Sequence, residues 1–128
     1  MTLRIVRLGS PRDAQEGTRV GTVRRPPRGV PKTEFASGNW YDVWFPVLAP
    51  SADTMKLGQA AQTPAQWAAF TRKYRSEMAA PEADQALNLL AALSRTGNLS
   101  VGCYCADETH CHRSILRELL AARGAEIA

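Results

Sequence analysis

The sequence predicts an α/β fold: one compact domain, 1–128, with a small, mostly parallel sheet covered by helices. Three observations carry that expectation. Residues 98–105 alternate with a period of two, Leu99, Val101, Cys103 and Cys105 falling on one side of a strand. Apolar residues recur at helical spacing in the segments that open at Pro64 and Pro81 and in the one that follows Asp107. The order of elements is strand, strand, aromatic strand, two helices, strand, helix, which suits parallel strands joined by helical crossovers.

The elements follow from the residues in order. Leu3, Ile5, Val6 and Leu8 make 2–8 a strand, ended by Gly9-Ser10-Pro11. Residues 10–18 read as a polar loop and 19–24 as a second strand. Pro26, Pro27 and Pro31 forbid regular structure through 24–32, so that stretch is a stiffened loop carrying Arg24, Arg25 and Arg28. The aromatic run 39–48 is expected to be a strand in the core, with Pro46 demoting its second half to an edge or irregular segment. Residues 50–63 are small and polar and read as a link, with at most a helical turn in it. Thr63-Pro64 supplies an N-cap and an N1 proline for a helix that buries Trp67, Phe70, Tyr74 and Met78. Pro81 opens a helix to Arg95, with Ala83, Ala86, Leu87 and Leu90 on its inner face. After the strand at 98–105, Asp107 is the expected N-cap of a last helix, which stops at Gly124.

Composition narrows the function classes. The net charge of +4 is unevenly spread: residues 1–32 hold eight basic side chains against two acidic ones, a local charge of +6, and the remainder carries −2. No apolar run reaches the length of a membrane span, and MTLRIVRLGS has no secretory h-region. The chain has three cysteines, two of them in a C-x-C that is too tight to pair, so reduced thiols in a cytoplasm are expected.

All three cysteines and both histidines fall in 98–124. Counting back along the last helix from Ile115 and Leu116 turns Cys111 and His112 inward, toward Cys103 and Cys105. Three readings of this centre stay open. Cys103, Cys105, Cys111 and His112 (or His110) are the right types for a tetrahedral soft-metal site, with zinc as the metal such ligands hold. Cys111 at a helix start, with His112 and Arg113 beside it, has the surroundings of a catalytic thiol, Cys111 and His112 then being the catalytic pair. The preferred reading is an anion site in which Arg25, Arg28 and Arg113 face the free amides of the helix start. Its ligand is an anionic small molecule such as a phosphate or nucleotide. Nucleic acid is the weaker form, since no basic helix or aromatic–basic alternation appears. No membrane partner is expected.

Four stretches resemble the bacterial domain of unknown function 488 family, in particular its YeaO-like branch: RVGTVRRPPRGVPK (19–32), YDVWFPVLAPS (41–51), the pattern of Trp67, Phe70, Tyr74 and Glu77, and GCYCADETHCHRSILRELL (102–120). The resemblance implies a compact α/β fold in a bacterial cytoplasm and brings no established activity. One branch of that family carries C-x-E followed by C-H-R. This chain is similar there in Cys111, His112 and Arg113, and has Cys105 in place of the acid.

Overall fold

A computed structural model describes residues 1–128. Its four strands are β1 (Leu3–Arg7), β2 (Thr18–Gly21), β3 (Val43–Trp44) and β4 (Leu99–Cys103), and its helices are α1 (Ala52–Ala60), α2 (Pro64–Met78), α3 (Pro81–Ser94) and α4 (His112–Ala122). The strands form one sheet in the order β1-β4-β2-β3, every pairing parallel. All four carboxyl ends therefore emerge on the same rim. β4 is interior, as its unbroken apolar pattern requires. Leu3 pairs with Leu99 on one side, Thr18 pairs with Leu99 on the other, and all five residues of β4 are buried.

The two faces of the sheet are covered differently. Leu3, Val20, Leu99 and Val101 point to the face where Phe70, Tyr74, Leu87, Leu90, Leu116 and Leu120 pack, so α2, α3 and α4 form the main core there. The alternate positions point the other way and meet loops instead. Arg19 is fully buried on that side, donating to both carboxylate oxygens of Glu16 at 2.6 and 2.9 Å and to the carbonyls of Ser10 and Asn39 at 2.9 and 2.7 Å. Ser100 of β4 donates to the same Glu16 carboxylate at 2.8 Å. An arginine that composition alone assigns to a basic surface is thus a core cation with four acceptors.

Three expectations need correction. The aromatic run is a strand only at Val43–Trp44, an exposed edge pair. Pro46 opens a 3₁₀ turn to Leu48, because the proline cannot donate to a ladder. The supposed link at 50–63 contains α1. Ser51 caps it by accepting from the Thr54 amide, and Glu77 of α2 accepts from the Ser51 amide and from the hydroxyls of Ser51 and Thr54 at 2.6–2.9 Å. That anchor comes from a residue well beyond the segment, which is why local composition does not reveal it. Asp107 caps a 3₁₀ turn, Glu108–His110, and α4 starts later with Cys111 as its extended N-cap residue, φ −142° and ψ 153°. The stop at Gly124 holds: its φ of 83° is the left-handed conformation that glycine adopts without strain.

Candidate functional site

Two features share the carboxyl rim. The first is the thiol–imidazole cluster. Cys103 ends β4 and Cys111 begins α4, so residues eight apart meet across the intervening turn with their sulfurs 2.6 Å apart, 1% and 3% exposed. His112 is equally buried. Its Nε2 lies 2.9 Å from the Thr22 carbonyl oxygen, which can only accept, so Nε2 carries the ring proton. Nδ1 then keeps its lone pair, and it faces the Cys111 sulfur at 3.7 Å. The geometry is that of a thiol donating to an imidazole oriented by a third group. Burial, acting against a weaker pull from the Thr22 carbonyl, pushes the imidazole down to about 4, so the ring is neutral at pH 7.

Cys105 stands apart. It is exposed, and its sulfur lies outside the group in which the Cys103, Cys111 and His112 ligand atoms are all within 4.8 Å of one another. The neighbouring Cys103 and Cys111 thiols lower its titration, with His112 and Arg113 adding to the effect. The same sharing holds the protons on the buried pair: Cys105, then Cys111 and burial, push Cys103 up. For Cys111 the lowering by Cys103 is outweighed by Cys105 and burial. A place at the helix start suggests that Cys111 is the most acidic thiol; its neighbours and burial act against that by raising Cys111, while Cys105 is lowered.

Arg113 is buried. It donates to the Cys105 carbonyl at 2.6 Å, tying α4 to the turn, while its Nε has no partner. His110 lies on the surface, 3.7 Å from the Asp107 carboxylate and against the Trp67 ring. Of the two histidines, the cluster uses His112.

The second feature is a cleft of about 1050 Å³ formed by the loops after β1, β2 and β4. Arg7, Arg25 and Arg28 line it together with Gly9, Trp40 and Tyr104. None of the three arginines is ion-paired. Tyr104 organises this wall: its hydroxyl donates to the Arg25 carbonyl at 2.8 Å, its own carbonyl accepts from Arg7 Nε at 3.4 Å, and its ring meets Trp40 edge-on at 6.0 Å. Leu8 and Tyr104 border the cleft and also pack on the Cys103–Cys111 cluster, so the two features are adjacent. The structure brings Arg25 and Arg28 together in the cleft and places Arg113 outside its lining. Arg7 and Tyr104 are cleft residues that the sequence does not single out, and Trp40, expected in the core, lines the cleft as well. Arg7 could have been found, since it ends the strand that pairs in register with Cys103.

The fold is an all-parallel α/β domain whose buried thiol–imidazole group and arginine-lined cleft both lie at the carboxyl rim, the side on which such sheets place their ligands. The chain belongs to the domain of unknown function 488 family: residues 3–124 match the model of its DUF488-N3a group, described as the active DUF488-N3 subclade. No curated protein and no solved structure matches the chain. No helix is long and apolar enough to cross a membrane.

Proposed function

We propose that the protein binds an anionic small molecule bearing a phosphate or carboxylate in the cleft at the carboxyl rim, with Arg25 and Arg28 as ligands joined by Arg7. The observation that carries this reading is three arginines without ion-pair partners lining one cleft. A proline-stiffened loop bearing two of them limits the entropy lost on binding. Each charge-assisted contact contributes about 1.5–3 kcal/mol, so two or three suffice for a usable site. Arg113 acts at one remove, holding the turn that carries Tyr104 and Cys105. Trp40 and Tyr104 provide an aromatic wall, which favours a nucleotide over bare phosphate. Nucleic acid stays the weaker form of the idea. The setting we infer is a bacterial cytoplasm and the YeaO-like branch of the family, and the description of the matched group as active supports a working site.

Calorimetry and thermal shift with inorganic phosphate, pyrophosphate, mononucleotides and a short oligonucleotide test the proposal. Arg25→Ala and Arg28→Ala are each expected to weaken binding about tenfold, the equivalent of 1.4 kcal/mol. Failure of every anion to bind, or equal binding by the double variant, would refute it.

One observation favours a second reading. Cys103, Cys111 and the unprotonated Nδ1 of His112 present two thiols and an imidazole lone pair within 4.8 Å of one another, a set that can hold a metal ion. Zinc suits these ligands, with exposed Cys105 as the nearest candidate for a fourth. Elemental analysis of protein purified without added metal decides it. If neither zinc nor another soft metal is present, the same Cys111–His112 geometry is that of a thiol nucleophile and its base.

A further inference from the structure

We propose that Cys103 and Cys111 form a reversible disulfide, and that Cys105 is the exposed thiol through which oxidising and reducing equivalents reach it. The inference stands apart from anion binding. Both buried sulfurs are free thiols already 2.6 Å apart, and closing to the bond length of about 2.05 Å asks only a small further approach. They sit on separate, well-held elements. Cys103 ends the interior strand, in register with Arg7 of β1, and Cys111 precedes His112, whose ring is fixed on the Thr22 carbonyl. The pair is therefore brought together by the fold before any oxidant arrives.

An external disulfide cannot reach sulfurs that are 1% and 3% exposed. Cys105 is exposed, one residue beyond Tyr104, in the turn that Arg113 holds by its carbonyl. With a low-molecular-weight disulfide R–S–S–R as oxidant, the exchange runs in three steps. The Cys105 sulfur attacks one sulfur of R–S–S–R, the S–S bond breaks, and the departing thiolate takes up the Cys105 proton as RSH. Cys111 passes its proton to His112 Nδ1 and attacks the Cys105 sulfur; the second RS⁻ leaves and collects that proton from the imidazole. Cys103 then attacks the Cys111 sulfur, and Cys105 departs with the Cys103 proton, restored as a thiol. The protein loses two hydrogens, and R–S–S–R becomes two RSH. Oxidation also removes both thiols from the metal-capable group, so the oxidised protein cannot hold an ion there.

The test equilibrates the full-length protein with mixtures of oxidised and reduced glutathione, quenches in acid, alkylates, and maps the products by mass spectrometry. The expected result is a two-electron transition to a Cys103–Cys111 link with Cys105 alkylated. Cys105→Ser, a surface change that leaves the fold intact, should reach the same end point about tenfold or more slowly. Three alkylated thiols at every ratio, or a stable link that includes Cys105, would overturn the proposal. So would Cys105→Ser oxidising at the wild-type rate, or one equivalent of bound zinc that protects both buried thiols.

Discussion

Replacing Arg19 by methionine should be among the most damaging single changes in this chain. The substitution keeps an unbranched, apolar side chain of similar length in the site and removes the guanidinium. Glu16, 3% exposed, then keeps Ser100 as a hydroxyl donor but loses its cation, and the carbonyls of Ser10 and Asn39 lose their donor. Breaking a buried ion pair from one side costs about 3–5 kcal/mol, against a total stability of about 5–15 kcal/mol for a domain of this kind. Urea unfolding followed by circular dichroism measures it, with the m-value checked for constancy. The double variant Arg19→Met/Glu16→Leu should recover part of the loss, since no unpaired carboxylate is then left at that site.

Burial raises the Glu16 carboxyl, but hydrogen bonds from Arg19 and Ser100 outweigh it, and the group ends below its ordinary 4.5. A folded-state value below the unfolded one gives stability that is present above 4.5 and lost as pH falls through the depressed value. In Arg19→Met burial dominates, the shift reverses, and Glu16 should instead favour the fold as pH falls toward 4.5. A loss below about 1 kcal/mol, the size of a surface pair, or an unchanged pH response of the single variant, would refute the reasoning.

Other outcomes follow from the same geometry. His112 is held near 4 against an ordinary 6.5, so the unfolded chain binds the extra proton in that window and stability falls as pH drops through it. Metal-free wild type should lose about 3 kcal/mol between pH 6.5 and 4 that His112→Gln does not; parallel curves in chemical denaturation would contradict the neutral, Nε2-protonated ring. Gly102 lies in β4 where a Cβ would sit 2.6 Å from the Val6 carbonyl oxygen and 2.9 Å from the Leu8 side chain. Gly102→Ala should therefore cost about 1–3 kcal/mol by overpacking, and a thermal midpoint equal to wild type would show that the strands can part at no cost.

Much of this protein is written locally. The alternation from Leu99 to Cys103 marks the interior strand because a strand buried on both faces needs apolar or small residues throughout. Thr63, Pro64 and Gln66 announce α2 because a capping box and an N1 proline act within a single turn. The meeting of Cys103 with Cys111 and His112 was also legible, since a strand, a short turn and a helix return the chain to the strand's end. The arginines were not legible in the same way. Arg19, Arg113 and Arg28 look alike in sequence, yet the first is a core cation, the second braces a turn, and the third lines an open cleft. What separates them is their partners: Glu16, three residues back, with the carbonyls of Ser10 and Asn39 for Arg19, the Cys105 carbonyl for Arg113, and none by ion pair for Arg28. Local periodicity records which way a side chain points. Whether a charge there is buried and how its remaining donors are satisfied depends on groups brought up from elsewhere in the chain, as Asn39 and Ser100 are for the Arg19–Glu16 pair, and only the tertiary structure decides that.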